Sequence, residues 1–356
     1  MTSPSRVVVA MSGGVDSSVA AALLQQQGYE VIGVMLRLWS EKDREAFNRC
    51  CTPEAMNIAR RVCDLLGIPF YVLDARQAFY DVVVQCFFNG YTQGITPNPC
   101  LLCNQSIRWG FLLERALAMG AAYLATGHYA HLRLSPEGNV QLLRSVDREK
   151  DQSYVLSMLN QEQLSRTLLP IGKYKKPEVR QLAHDVHLPV AERKDSQDLC
   201  FLGEEDYRAF LLRHHPNSVK PGPIINTQGE ILGEHRGLAL YTIGQRKGLR
   251  IPARHPLYVL EKLPASNTLV VGGSHEMGRD ELTAGAVNWI AGTPPDPPLR
   301  ASIKIRYRAT EVSGTITPVD SQRVQVHLDE PLRDITPGQA AVFYNEELCL
   351  GGGLIE

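Results

Sequence analysis

The sequence predicts an α/β protein with two β-rich additions. A doubly wound parallel sheet spans residues 1–205, a small central module 206–279 and an all-β barrel 280–356. Three observations carry this. Up to about residue 130, short apolar runs alternate with amphipathic stretches that close on glycine, the pattern of strands and helices in turn. From about Tyr207, turn residues crowd in at Pro221-Gly222-Pro223, Thr227-Gln228-Gly229 and Gly272-Gly273. Beyond residue 280 the chain reads as short strands separated by turns.

Arg6–Met11, centred on Val7, Val8 and Val9, has the continuous apolar character of a strand buried on both faces. Ser18–Gln27 reads as a helix because Val19, Ala22 and Leu23 share a face, with Gly28 as its stop. Val31–Leu36 predicts a second strand and Glu54–Leu66 a second helix closed by Gly67. Phe70–Leu73 and Ala122–Thr126 predict two more strands. A helix follows Asn104, with Ile107, Phe111, Leu112, Ala116 and Met119 at helical spacing. Ser302–Ala309, Val312–Thr317, Val324–Leu328 and Ala340–Tyr344 predict barrel strands. Pro294-Pro295-Asp296-Pro297-Pro298 reads as a stiff turn or linker.

Composition narrows the function classes. The 356 residues are 44% hydrophobic and 21% charged, which excludes wholesale disorder and a collagen-like chain. No apolar run approaches the roughly 18 residues of a membrane span. The net charge of −1 argues against polyanion binding by the whole surface but leaves room for a local basic patch. Met1 to Arg6 lacks the basic and apolar regions of an export signal. Eight cysteines are too sparse for a disulfide scaffold. The expected location is therefore the reducing cytoplasm, where paired cysteines point to catalysis or metal binding.

Ser12-Gly13-Gly14-Val15-Asp16-Ser17-Ser18 joins the first strand to the first helix. Two glycines let the backbone turn tightly around an anion, and a helix N-terminus offers free N–H groups and a positive dipole end. Ser12, Ser17 and Ser18 add hydroxyls. The loop has no lysine, so it is not a Walker A loop, whose lysine reaches the β- and γ-phosphates. Without that lysine it suits holding pyrophosphate while the α-phosphate is attacked. In this the sequence resembles the pyrophosphate-loop ATPase superfamily, with its adenine nucleotide hydrolase-like fold. Its members cleave ATP between the α- and β-phosphates and adenylate a substrate. Asp16 orients the loop or helps bind magnesium with the pyrophosphate.

Cys100-Leu101-Leu102-Cys103 follows Thr96-Pro97-Asn98-Pro99, and Cys200 ends Lys194-Asp195-Ser196-Gln197-Asp198-Leu199-Cys200. The spacing puts Cys103 at a helix N-terminus, where the dipole favours a thiolate. Several readings fit. Cys100, Cys103, His128 and His131 form a possible zinc set, but two residues between the histidines fall short of the usual three to five. A thioredoxin-like pair does not belong with a phosphate loop. Buried small apolar residues remain the plain reading for cysteine, and it is the reading for Cys63, Cys86 and Cys349. Cys50 and Cys51 are adjacent, which strains a mutual disulfide, and nothing assigns them a role.

Loop, cysteines and further motifs together resemble the tRNA-specific 2-thiouridylases over nearly the whole chain, from about Val7 to Glu356. Thr96–Asn104 with Asp195–Cys200 is the specific part. Thr126-Gly127-His128-Tyr129, Lys150-Asp151-Gln152-Ser153-Tyr154, Gly244-Gln245-Arg246-Lys247-Gly248 and Leu350-Gly351-Gly352-Gly353 add family-like signatures. The resemblance implies ATP-dependent replacement of the C2 oxygen of a tRNA wobble uridine by sulfur. By position, Ala10, Met11, Ser12, Gly13, Gly14, Val15, Asp16 and Ser17 would bind ATP phosphates with Mg2+, and Leu36 and Gly127 would bound the adenine pocket. Cys103 would be the nucleophile, and Cys200 would carry a persulfide received from a sulfur-donor protein. Asn98, Pro99 and Cys100 would lie at the target base. His128, Lys150, Asp151, Gln152, Arg306, Tyr307 and Gln339 would contact tRNA. The better-known family pattern, Asn-Pro-Asp-x-x-Cys, has aspartate where this chain has Cys100. Cys100, Cys103 and Cys200 then make three thiolates, enough for a [4Fe–4S] cluster with one open iron.

Lys304, Arg306 and Arg308 alternate with Ile303, Ile305 and Tyr307. On a strand this puts three cations on one face. The face is either merely solvated or a phosphate track for a tRNA arm, extended by Arg246-Lys247 and by Lys173, Lys175, Lys176 and Arg180. An amide-forming synthetase of the same superfamily is the rival enzyme, though it has no use for a Cys103–Cys200 pair. A tRNA-binding protein with a relic nucleotide site is the rival non-enzyme. A monomer binding one tRNA is the expected state.

Overall fold

The computed structural model describes residues 4–41, 52–193, 199–203, 206–216 and 219–356. Cys50, Cys51 and residues 194–198 of the Cys200 motif lie outside the described residues. The first domain contains β1 (Arg6–Ala10), β2 (Glu30–Arg37), β3 (Phe70–Asp74), β4 (Tyr123–Ala125), β5 (Ala130–Leu134), β6 (Val140–Arg144) and β7 (Thr167–Leu168). Strands β3-β2-β1-β4-β7 make a parallel sheet in that order. Chain order reverses between β1 and β4, so the crevice beyond their C-termini is the switch point where such sheets bind ligands.

The apolar pattern of β1 has a physical outcome. Val7 and Val9 pack into one core cluster and Val8 into the cluster on the opposite face, all with no exposed surface. Each such valine contributes roughly 1.5–3 kcal/mol of burial. Helix α1 (Val15–Gln26) follows β1, and α2 (Pro53–Leu66) packs on the same face. Thr52 caps α2 by accepting from the Ala55 amide at 3.0 Å, and Gly67 ends it at φ +64°, as its sequence position predicts.

Two boundaries differ from the sequence reading. Helix α1 begins at Val15, three residues before the expected Ser18. Gly14 is its N-cap, and Ser17 and Ser18 turn their hydroxyls back onto the Gly14 carbonyl at 3.2 and 2.9 Å. Both serines therefore lie within the first turn. Cys103 is not at a helix N-terminus. Helical structure starts at Pro99, capped by Asn98, whose side chain accepts from Leu101 N at 3.4 Å. Pro99–Leu102 runs into a π-helical segment, Cys103–Leu112, and on through Leu113–Ala118. Pro99 favours the first helical position, and so the helix starts before the cysteines. The dipole argument passes from Cys103 to Cys100.

The central module forms a four-stranded sheet, ordered β10-β11-β8-β9, from β8 (Gly222–Ile225), β9 (Ile231–His235), β10 (Tyr258–Leu263) and β11 (Thr268–Gly272). Ile224, Val259, Leu269 and Val271 are its buried core. The C-terminal strands are β12 (Arg279–Trp289), β13 (Leu299–Lys304), β14 (Val312–Pro318), β15 (Val324–Leu332), β16 (Ala340–Asn345) and β17 (Leu348–Ile355). They pair in the order β12-β15-β14-β13-β16-β17, and β12 pairs back onto β17, closing a barrel. Hairpin β5–β6 joins the same sheet through β6 and β17, so the first domain contributes strands to the barrel's edge. Sequence reading missed that hairpin because its pairing partner is some two hundred residues away.

The expected strand Ser302–Ala309 ends at Lys304. The chain turns at Arg306, whose carbonyl accepts from Ala309 N at 3.1 Å. The predicted three-cation strand face is therefore absent. Among the described residues, no helix is long and apolar enough to cross a membrane.

Candidate functional site

The Gly-rich loop lies at the switch point. Met11 N still donates to Val34 O at 2.8 Å, so the loop leaves the sheet just beyond β1. Ser12 Oγ lies 3.2 Å from Ser17 Oγ and accepts from Gly14 N at 3.3 Å. Gly13 sits at φ +73°, and a Cβ there would come within 2.5 Å of the Ala55 carbonyl oxygen. Gly127, just past β4, runs against the same loop: a Cβ would lie 2.6 Å from Ser17 N and from the Asp16 carbonyl carbon. Both positions need glycine for close backbone approach.

Two cations flank the loop, neither of them on it. Lys176 is only 8% exposed and its Nζ lies 2.8 Å from each carboxylate oxygen of Asp16. Tyr129 OH donates to Asp16 Oδ1 at 2.7 Å. On the other side Arg193 donates to the Gly13 carbonyl at 2.8 Å. Arg180 in turn donates to the carbonyls of Ala191 and Arg193, which holds that segment against the helix Lys176–Asp185. Lys176 and Arg180 thus face inward at the loop, not outward on a basic track as the sequence suggested. Sequence reasoning missed Lys176 and Arg193 as loop partners because 160 and 180 residues separate each from its contact.

Cys103 and Cys200 pack on one apolar cluster. Both are half-buried and pack against the cluster of Phe79, Phe87, Phe201 and Phe210. Leu38 and Ala75, the first residues past the strap ends of β2 and β3, belong to that cluster, and Leu36 packs on it. The cysteines therefore sit on the C-terminal side of the sheet, as the loop does. Cys100 is exposed and lies near Tyr154 and Tyr307. Burial, and then the Asp151 carboxylate, raises the Tyr307 phenol above its ordinary value. Among the described residues, no three His, Cys, Asp or Glu side chains are gathered as a metal site. As they stand, Cys100, Cys103 and Cys200 are not gathered to hold a cluster. Cys63 and Cys349 are buried thiols pushed up to about 12 by desolvation.

The predicted target-base segment is clamped by the barrel. Thr96 N donates to Pro337 O at 2.9 Å, and Gln339 Nε2 donates to the Thr96 and Pro97 carbonyls at 2.9 and 3.2 Å. Tyr154 bonds the Asn98 side chain and donates to Ala340 O at 3.1 Å. Its ring meets that of Tyr307 at 6.2 Å. Asn98, Pro99, Cys100, Tyr307 and Gln339, distant in sequence, thus converge. Arg306 stands beside them. Its guanidinium lies 3.5 Å from Asp334 and donates to Ile243 O at 3.3 Å, linking barrel to central module. Lys304 lies 3.9 Å from Glu311.

Two predicted contact residues are buried, and a third, Gln152, is half-buried. His128 is 7% exposed, with Arg108 NH1 at 2.9 Å from Nε2 and Thr126 Oγ1 at 2.7 Å from Nδ1. Guanidinium only donates, so Nε2 accepts and Nδ1 carries the proton. Burial, then the Arg108 charge, pushes its pKa well below the ordinary value, and the ring is neutral. Asp151 is 5% exposed and accepts from Ser145 N, Ser153 N and Ser153 Oγ. Gln152 exchanges hydrogen bonds with the Tyr129 backbone at 2.7 and 2.9 Å. Lys150, half-exposed, donates its amide to the side chain of Asp147 at 3.3 Å. These residues shape the wall behind the site.

Comparison with known proteins matches three stretches of the chain. Residues 5–204 match the family described as "tRNA methyl transferase HUP domain", 208–273 the "tRNA methyl transferase PRC-barrel domain" and 279–355 the "Aminomethyltransferase beta-barrel domain". Full-length relatives are named differently. The chain is 46% identical over 361 residues to the tRNA-specific 2-thiouridylase MnmA of Natranaerobius thermophilus, covering 100% of this chain and 98% of that one. It is 46% identical to the MnmA of Roseiflexus castenholzii, over 98% and 99% of the two chains. The MnmA of Pelotomaculum thermopropionicum is 45% identical, over 99% and 97%.

Proposed function

The chain belongs to the tRNA-specific 2-thiouridylase family, and on that premise we propose that it replaces the C2 oxygen of a tRNA wobble uridine with sulfur in an ATP-cleaving reaction. The observation that carries the reading is the placement of Cys103 and Cys200 on one aromatic cluster, on the same side of the sheet as an anion-binding loop without a Walker lysine.

In this reading Ala10–Ser17 hold the phosphates of ATP, and Leu36 and Gly127 bound its adenine. Lys176 and Arg193 supply positive charge beside the loop. Asp16 would hold Mg2+ together with the departing pyrophosphate; one carboxylate plus phosphate oxygens is a usual protein share for that ion. The uridine O2 attacks the α-phosphorus, the bond to the bridging oxygen breaks, and pyrophosphate leaves. The C2 oxygen now carries AMP and is a good leaving group. The terminal sulfur of a Cys200 persulfide attacks C2 and AMP departs with the C–O electron pair. Cys103 thiolate then attacks Cys200 Sγ, which releases the thiouridine and leaves a Cys103–Cys200 disulfide for an external dithiol to reduce. In the alternative order, Cys103 first frees hydrosulfide from the persulfide, and that ion attacks C2.

Asn98, Pro99 and Cys100 contact the target base, with Arg306, Tyr307 and Gln339 beside them. His128, Asp151 and Gln152 act from within, holding the wall that Lys150 borders. A persulfide-carrier protein supplies the sulfur, and the enzyme works as a cytoplasmic monomer with domain boundaries at 205/206 and 279/280.

The test incubates protein, ATP, magnesium, a sulfur source with reductant, and unmodified tRNA bearing a wobble uridine. Product nucleosides are read by mass spectrometry. Wild type yields 2-thiouridine, while Cys103→Ser and Cys200→Ser yield none. No thiouridine from wild type, in air and after anaerobic iron–sulfur reconstitution, refutes the reading.

A further inference from the structure

The central module carries a basic ridge that the chemistry above does not use. Residues 242–256, Thr-Ile-Gly-Gln-Arg-Lys-Gly-Leu-Arg-Ile-Pro-Ala-Arg-His-Pro, contain no acidic residue. Arg246, Lys247, Arg250 and Arg254 are exposed, and none of them makes an ion pair among the described residues. Elsewhere on the surface Arg300 is paired with Asp329 and Arg323 with Asp320.

The ridge is built rather than floppy. Leu249 is buried, and Ile251 and Leu257 pack on the same module core, so apolar side chains point in and cations point out. Three basic residues from distant parts of the chain grip carbonyls at its root. Arg208 donates to Leu240 O at 2.7 Å, Lys262 to Tyr241 O at 3.2 Å and Arg306 to Ile243 O at 3.3 Å. Gln245 accepts from Thr242 N and from Arg208, and donates to Lys247 O at 2.9 Å. Arg250 holds φ at +57°, a left-handed conformation that costs a side-chain-bearing residue energy and that glycine adopts freely.

We propose that this ridge binds the phosphate backbone of tRNA at a distance from the target base. The proposal rests on tRNA being the substrate. Charge without apolar surface is the mark of a phosphate contact: no large hydrophobic residue between 242 and 257 is exposed, whereas protein-docking patches centre on aromatic or aliphatic anchors. The ridge is also continuous with the base-side residues, because Arg306 holds Ile243 directly.

The experiment measures binding of unmodified full-length tRNA across a salt series, for wild type, Arg250→Gly and the combined Arg246→Ala, Lys247→Ala, Arg250→Gly, Arg254→Ala variant. Arg323→Ala is the control. Each phosphate contact contributes roughly 0.7–0.9 to the slope of log affinity against log salt. The combined variant, short of four cations, is expected to lose about three units of slope and at least about tenfold in affinity, with a raised KM for tRNA. Arg250→Gly is expected to weaken binding without lowering the melting temperature, which separates lost charge from lost fold. The control keeps the wild-type slope. A folded combined variant with wild-type slope and KM overturns the proposal and leaves the thiolation reading standing. So does a variant that binds tRNA normally but no longer accepts sulfur from a carrier protein, since the ridge would then be a protein dock. Wild type that binds no tRNA refutes the underlying reading itself.

Discussion

Lys176→Ala tests whether the loop borrows the lysine it lacks. The ammonium contacts both oxygens of Asp16 at 2.8 Å, with the lysine side chain 10% and the aspartate 31% exposed. An exposed pair contributes about 0–1 kcal/mol, and breaking a fully buried one costs about 3–5 kcal/mol. Asp16 keeps its bond from Tyr129 and part of its solvent, which puts the loss near the lower bound, about 1–2 kcal/mol. Catalysis is expected to suffer more. A preorganised donor on a charge-developing group is worth about 10²–10³ in rate. Pyrophosphate release, followed with saturating tRNA, should fall by about that factor, while the melting temperature drops only a few degrees. Lys176→Arg should recover part of the rate. A cycle with Asp16→Asn sorts the roles: if Lys176 only orients Asp16, the double variant is no slower than the slower single. Folded Lys176→Ala within threefold of wild-type turnover refutes the reasoning.

Three further outcomes follow from the geometry. Gly127→Ala places a Cβ 2.6 Å from backbone atoms of Asp16 and Ser17, so the loop must shift; ATP affinity should fall at least about tenfold, with about 1–3 kcal/mol of stability lost, by calorimetry and thermal melting. His128 is neutral when folded and titrates near 6.5 when unfolded, so below that pH the unfolded chain binds more protons; stability is full above pH 6.5 and falls as the pH drops toward the depressed folded value. His128→Gln should flatten that acid-side loss in melts taken from pH 7.5 to 5, and an unaltered slope would contradict the assignment. Arg144→Leu removes a bidentate pair to Glu311 at 2.5–2.6 Å and a cation stacked 3.5 Å from the Tyr344 ring centroid; melting should show a loss of about 2–4 kcal/mol as barrel and β5–β6 hairpin loosen.

Where side chains follow from near neighbours in sequence, the reading was close. The runs at Val7–Val9 and Val31–Leu36 became parallel strands, and Gly28 and Gly67 sit at helix ends, because burial and turn conformation are local demands. The helix begins at Pro99, upstream of the expected start, because proline suits the first helical position and Asn98 caps it. The strand through Arg306 failed for a different reason. Alternation alone predicts a face, but Arg306 is drawn across to Ile243 and Thr336, and the chain turns there. No window of sequence contains those partners.

The sequence by itself determined the Gly-rich strand-to-helix loop, which cysteines the chain offers and the order of fold types, since these depend on residue identity and short-range periodicity. Only the tertiary structure decided what completes the site. It seated Lys176 on Asp16 and Arg193 on Gly13, brought Cys103 and Cys200 to one apolar cluster, and turned His128 and Asp151 inward. Each depends on which distant surfaces exclude water together. A buried charge must find its partner wherever the fold delivers one, and sequence separation carries no information about that distance.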